Sequence, residues 1–226
     1  MQTTDRRSVL DDVRQALGHR ATVTPEALEP FIEPAGTPGA DSLVARFTQE
    51  ATAVRAQVHR LSGKLQLVEK ILEICAHQAG EVALSGSALF SQMELPKALA
   101  AHGLTTFESH ETDHETMIAR LANCAVGVTA ADYVIAETGT IVLSSDEANA
   151  LLVSLLPPVH IAMVRAAQII ASIDENICRL GEDQMERANP PRSVTMITGP
   201  SRTSDVELVL SIGVHGPKEL HVIILD

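Results

Sequence analysis

The sequence predicts an α/β fold: one domain on a mostly parallel sheet flanked by helices, with an N-terminal helical extension. Three observations lead there. Short apolar runs rich in Val and Ile alternate with segments whose apolar residues recur every three to four positions, the pattern of strands joined by crossover helices. A length of 226 residues is that of one ordinary domain with some terminal decoration. A hydrophobic fraction of 45% against 20% charged residues is enough to bury a core.

Taken in order, Val9, Val13, Ala16 and Leu17 make residues 5–17 an amphipathic helix ended by Gly18. Pro25, Pro30, Pro34 and Pro38 with Gly36 and Gly39 then keep 19–40 free of regular structure. Residues 1–40 therefore read as a helix and arm, which either fold back on their own domain or reach a neighbouring subunit in a homo-oligomer. The domain proper spans 41–226. Two helices are expected at 43–59 and 64–78, the second with Leu65, Val68, Ile71, Leu72 and Cys75 on one face. A strand at 82–85, a helix at 94–102 with Pro96 in its first turn, and a strand at 105–107 follow.

Thr112 and Glu115 form a capping box that opens a helix over 113–122. Next come a strand at 125–129, a hairpin of 133–136 with 140–144, a helix near 146–154 and a strand at 159–164. A helix over 172–187 is stopped by Asn189, Pro190 and Pro191, and an apolar strand at 194–198 runs into Gly199 and Pro200. A short helix at 205–211 and a strand at 219–225 close the domain.

Composition excludes several functions. A net charge of −12 opposes binding to nucleic acid or an anionic membrane, since phosphates are held by Lys and Arg. One Tyr, four Phe and no Trp leave few rings for stacking on bases. Cys75, Cys124 and Cys178 are scattered, which fits three buried thiols in a reducing compartment and supplies no iron–sulfur ligand set. Residues 1–18 carry Asp5, Arg6, Arg7, Asp11, Asp12 and Arg14 and no apolar core, unlike a secretory signal. The longest greasy stretch, 160–173, is broken by Arg165 and Gln168 and falls short of the ~20 residues a bilayer needs. A cytoplasmic protein without membrane insertion is expected.

Three segments can carry chemistry. Thr198-Gly199-Pro200-Ser201-Arg202-Thr203 lies between an apolar strand and an expected helix start capped by Ser204 and Glu207. Free amides, the Ser201 and Thr203 hydroxyls and the Arg202 fork would suit a small anion; an ordinary strand-to-helix turn is the alternative. Glu137-Thr138-Gly139-Thr140 reads either as a plain hairpin turn or as one presenting Glu137 as base or nucleophile. Gly213-Val214-His215-Gly216-Pro217-Lys218 brings an imidazole and an amine into a shaped loop, with His215 as a base, a ligand clamp or a structural hydrogen-bonder. His160 has the same ambiguity. His110 and His114 do not share a helical face once Thr112 is the cap, so no metal site is assigned.

In sequence, Ala131-Asp132-Tyr133 leading to 136–140, Leu156-Pro157-Pro158-Val159-His160, 198–203, and 213–217 closing on Glu219-Leu220-His221-Val222 resemble the LUD-domain family. The block covers about residues 125–226. The resemblance implies a NagB/RpiA/CoA-transferase-like fold and a subunit of a system oxidising L-lactate to pyruvate. It implies iron–sulfur clusters on partner subunits and no cofactor in this chain. Glu137 is similar to the acyl-forming Glu of CoA transferases in local pattern only. Either a ligand-binding accessory subunit, an enzyme on a small phosphorylated or thioester substrate, or a scaffold is compatible with these residues.

Overall fold

The computed structural model describes residues 39–109, 113–145, 151–186, 191, 193–204, 210–212 and 215–226, together with Gln15. The expected helix 5–17 and arm 19–40 lie outside the described residues, apart from the single residue Gln15 and the start of the first helix. All described elements belong to the unit Phe31–Asp226.

Helix α1, Ala40–Ala53, buries Val44, Phe47 and Ala51 along one face. It is shorter than the expected 43–59 helix. Arg55 adopts φ +71, which breaks the helix without a Gly or Pro to announce it, and Gln57–Leu61 continues as strand β1. Helix α2, Lys64–Cys75, buries Leu67, Val68, Ile71 and Cys75, while Leu65 is exposed rather than part of that face. Strand β2 is Val82–Leu84, α3 Ala88–Gln92, α4 Leu95–Ala101 and β3 Thr106–Glu108. Helix α5, His114–Leu121, begins one residue later than expected. Its N-cap is Asp113, whose carboxylate accepts the Thr116 N–H at 3.1 Å, while Thr112 of the expected capping box lies outside the described residues. Replacing Asp113 by Ala is expected to lower the urea midpoint, and Asp113→Asn, which keeps the acceptor, to lower it less.

Strand β4, Val126–Ala130, leads to the hairpin of β5, Tyr133–Ile135, and β6, Thr140–Ser145. Of the expected helix near 146–154, residues 146–150 lie outside the described residues and Leu151–Ser154 form a 3-10 turn. Strand β7, Val159–Arg165, is followed by a 3-10 turn at Ala166–Gln168, the short β8, Ile169–Ile170, and α6, Ile173–Glu186. Strand β9 is Ser193–Ile197. Of the expected helix 205–211, residues 205–209 lie outside the described residues, and Leu210 and Ser211 are strand instead: Arg202–Ser204, β10, pair antiparallel with Leu210–Ile212, β11. Ser204 stands opposite Leu210 in this ladder. Strand β12 is Glu219–Leu225.

The main sheet has six parallel strands in the order β1-β12-β7-β4-β2-β3. A second sheet, β8-β5-β6-β9, carries the expected antiparallel hairpin. Both faces of the inner strands β12, β7, β4 and β2 are covered, which is why those strands are apolar at most positions. On one face Ile223, Leu225, Ile161 and Met163 pack under α2, α3 and α4 through Leu67, Ile71, Phe90 and Leu99. On the other, Val222, Ile224, Ala162 and Val164 meet Phe47 of α1 and Val134, Ile141 and Leu143 of the second sheet. Among the described residues no helix is long and apolar enough to cross a membrane.

Candidate ligand-binding site

Three of the sequence motifs converge on one junction. Strand β9 ends at Ile197, and the turn after it docks on the loop before β12: the Ser201 N–H donates to the Pro217 carbonyl at 2.9 Å. The Lys218 N–H donates to the Pro158 carbonyl at 2.8 Å, which ties in the Pro-Pro segment ahead of β7. Between them lies a cavity of about 350 Å³, lined by Thr198, Gly199, Ser201 and Arg202 on one side and His215 and Gly216 on another, with His160 and Ser154 also at its wall. The cavity sits at the amino ends of β7 and β12, between the main sheet and β9.

Glycine is required where the walls approach α1. A Cβ on Gly199, at φ +77, would lie 2.4 Å from the Val54 carbonyl oxygen; one on Gly139, at φ +64, would lie 2.3 Å from the Ala51 nitrogen. The turns before β6 and after β9 therefore both rest on the carboxyl end of α1. Arg202 joins them there, donating to the Val54 carbonyl at 3.2 Å while its exposed side chain also lines the cavity. The two turns are laced together by hydroxyls: Thr138 Oγ1 lies 2.7 Å from Thr140 Oγ1, which lies 2.8 Å from Thr198 Oγ1.

His160 is fully buried, with Nε2 2.8 Å from Thr129 Oγ1. Burial drives its pKa down to about 3, with the nearby His221 adding to the effect, so it stays neutral. It cannot supply positive charge to a ligand; it is a wall and a hydrogen-bonder.

The other predicted residues fall as follows. Glu137 does not line this cavity. Its carboxylate accepts the Ile173 N–H at the start of α6 at 3.3 Å, and its own N–H donates to the Ala171 carbonyl at 3.1 Å. Lys218 lines a neighbouring cavity of about 430 Å³ that shares Leu155, His215 and Gly216 with the first. Thr203 lies in β10, in the ladder with Ser211, so its backbone does not open a helix toward a ligand. The Ser201 amide, bonded to Pro217, is likewise committed. What remains to meet an anion is the Arg202 fork, the Ser201 hydroxyl and His215. His110 lies outside the described residues, and among those described no group of three or more His, Cys, Asp or Glu is arranged to hold a metal.

The three cysteines are unpaired; Cys75 and Cys124 are buried, as expected, and Cys178 in α6 is only half-buried. Sequence reasoning did not select Ser154, which lines the cavity from the 3-10 turn. The signal for it was Gly127, where a Cβ would lie 2.0 Å from the Val153 carbonyl: the glycine in an otherwise apolar strand marks where that turn presses in.

A family model described as the LUD domain matches residues 44–225. A protein named lactate utilization protein C from Halalkalibacterium halodurans is 26% identical over 228 residues, covering 98% of this chain and 97% of that one. One of the same name from Macrococcus caseolyticus is 34% identical over 128 residues, covering 57% of this chain and 54%, about half, of the relative. Among solved structures, a DUF162 family protein from Deinococcus radiodurans superposes with a TM-score of 0.63 at 22% identity, covering 84% of this chain and 99% of that chain. At that identity the likeness speaks for the fold, and it agrees with the helix-flanked parallel sheet derived above. The domain model, which takes in every main-sheet strand from β1 to β12, makes the chain a member of the LUD domain family.

Proposed function

We propose that the chain is a small-anion-binding subunit of a cytoplasmic L-lactate utilization system, acting beside iron–sulfur proteins that carry the electrons from L-lactate to pyruvate. Relatives named for lactate utilization, one aligned over nearly its full length, support the system. The observation that carries the binding role is that Arg202 and His215, 13 positions apart, line one cavity with Thr198 and Ser201. In a chain of net charge −12, a guanidinium at a cavity wall is a local positive focus that attracts a carboxylate or phosphate. The chain's own buried thiols suit a cluster poorly: burial raises Cys75 and Cys124 to about 11, so thiolate ligands would be costly to form there. This is consistent with redox centres on partner subunits.

The test is a thermal-shift screen of the wild type and Arg202→Ala against L-lactate, pyruvate, CoA thioesters, nucleotides and sugar phosphates. A ligand at about 100 times its Kd adds about 2.7 kcal/mol, worth about 5–10 °C in a domain of this size. The shift is expected in the wild type and absent in Arg202→Ala, each measured from its own baseline because the variant also loses the bond to Val54. If no compound shifts the wild type, the binding role fails and an assembly role takes its place. Glu137→Gln is expected to leave the shift unchanged, since Glu137 is not at the cavity.

A further inference from the structure

We propose that the crevice at the carboxyl ends of β2, β4 and β7 is a second ligand site, which takes a small carboxylate or phosphate on Arg165. It shares no residue with the cavity of Arg202 and His215 and goes beyond the reading given for that cavity.

Topology selects the place. From β2 the chain crosses outward to β3; from β4 it crosses the opposite way, to β7 and then β12. The β2–β4 boundary is therefore where successive connections diverge, and in open parallel sheets the crevice beyond the carboxyl ends of such a pair is left uncovered by either connection. A cavity of about 520 Å³ lies there. Gly86 and Ser87 follow β2, Asp132 follows β4, and Arg165 with Gln168 ends β7; all of them line it. That volume is within the range of small-molecule sites, about 300–1,000 Å³.

The charge at the crevice is the second argument. Arg60, Arg120 and Arg179 each pair with a carboxylate, on Asp226, Glu81 and Glu175 respectively. Arg165 has no carboxylate within ion-pair distance among the described residues; its guanidinium meets the neutral Gln92 Oε1 at 3.1 Å. Asp132, the acidic group of the crevice, has Oδ2 turned to the Ser144 N–H at 2.6 Å, on the hairpin side. An unneutralised fork in an acidic protein, beside a neutral amide and the Ser87 hydroxyl, is chemistry for an oxyanion.

The site is also built rather than incidental. Gln168 accepts the Arg165 N–H at 2.9 Å and donates to the Asp132 carbonyl at 2.8 Å and the Ala131 carbonyl at 3.2 Å. One side chain thus fixes the ends of β4 and β7 against each other. At the end of β2, Ser85 Oγ is buried with no partner, so this strand end retains unused hydrogen-bonding capacity.

The experiment is isothermal titration of the full chain with pyruvate, inorganic phosphate, ATP and CoA, using the wild type, Arg165→Ala, Arg165→Lys and Arg202→Ala. At least one probe is expected to bind the wild type and Arg202→Ala alike and to bind Arg165→Ala at least tenfold more weakly, with Arg165→Lys between. Pyruvate alone binding would identify a carboxylate ligand, and the phosphate-bearing probes a phosphate ligand; either supports the site. The proposal is overturned if no probe binds, or if Arg165→Ala binds as the wild type does. Binding lost only in Arg202→Ala also overturns it while sustaining the first cavity, so the two readings fail separately. Arg165 is exposed at a strand end, and circular dichroism on the two Arg165 variants checks that they fold.

Discussion

Gly139→Ala is expected to destabilise the protein by about 3 kcal/mol or more, a large part of the 5–15 kcal/mol that holds a domain together. Two effects add. An Ala at φ +64 carries left-handed strain of about 1–2 kcal/mol. Its Cβ would also sit 2.3 Å from Ala51 N and 2.6 Å from Ala51 Cα, both backbone atoms of α1, which can yield only by moving the helix. Overpacking of that kind costs about 1–3 kcal/mol. Gly103→Ala is the control, since Gly103 has φ +82 and nothing within 4 Å of its would-be Cβ. Chemical denaturation should show Gly103→Ala losing only the strain contribution. Equal losses in the two variants would mean that the approach of α1 does not constrain the hairpin turn.

Acidification from pH 8 to 5 should remove about 2 kcal/mol of stability through His160 alone. Its pKa in the fold is about 3 against an ordinary 6.5, so between those values the unfolded chain binds a proton that the folded chain refuses. Stability is then complete above pH 6.5 and falls with pH by up to about 1.4 kcal/mol per unit until the folded pKa is reached. His59 and His221 act in the same direction. Burial lowers both, and their rings face each other with Nε2 of His59 3.2 Å from Nδ1 of His221, a spacing that accommodates one shared proton but not two. Carboxylates held low by partners, such as Glu81 beside Arg120, lose their contribution at more acid pH, which leaves pH 4.5–6.5 to the histidines. His160→Gln should flatten the slope in that window by about one proton. A slope unchanged in His160→Gln would show that this residue takes up its proton in the fold.

Most of the sheet was legible because both of its faces are buried. Runs such as Val159–Val164 and Leu220–Leu225 are, apart from His160 and His221, apolar in both parities and read as interior strands. What escaped were elements whose cause lies elsewhere in the chain. Strand β1, at the sheet edge, is polar at Gln57, His59 and Arg60, and its helix-like beginning is stopped only by the left-handed Arg55. Residues 202–204 looked like a helix start by their hydroxyls, yet their partner strand decides their conformation. The same division holds at the sites. The 198–203 and 213–218 segments were each marked by their motifs, whereas their convergence, and the absence of an ion-pair partner for Arg165 among the described residues, follow from the topology. In sequence Arg165 served only as the charge that ended an apolar run.

The position of β12 also governs the order in which the molecule can be made. It is the last described strand, yet it lies inside the sheet, with β7 on one side and β1 on the other, and among the described residues β1 meets the main sheet through it alone. During synthesis β1 emerges more than 150 residues before this partner. Until residue 225 has left the ribosome, β1 and the inner edge of β7 are two open strand edges, exposed to wrong pairing. Closure of the sheet is therefore a late, long-range event, of the kind that slows folding and prolongs the exposure of unpaired edges.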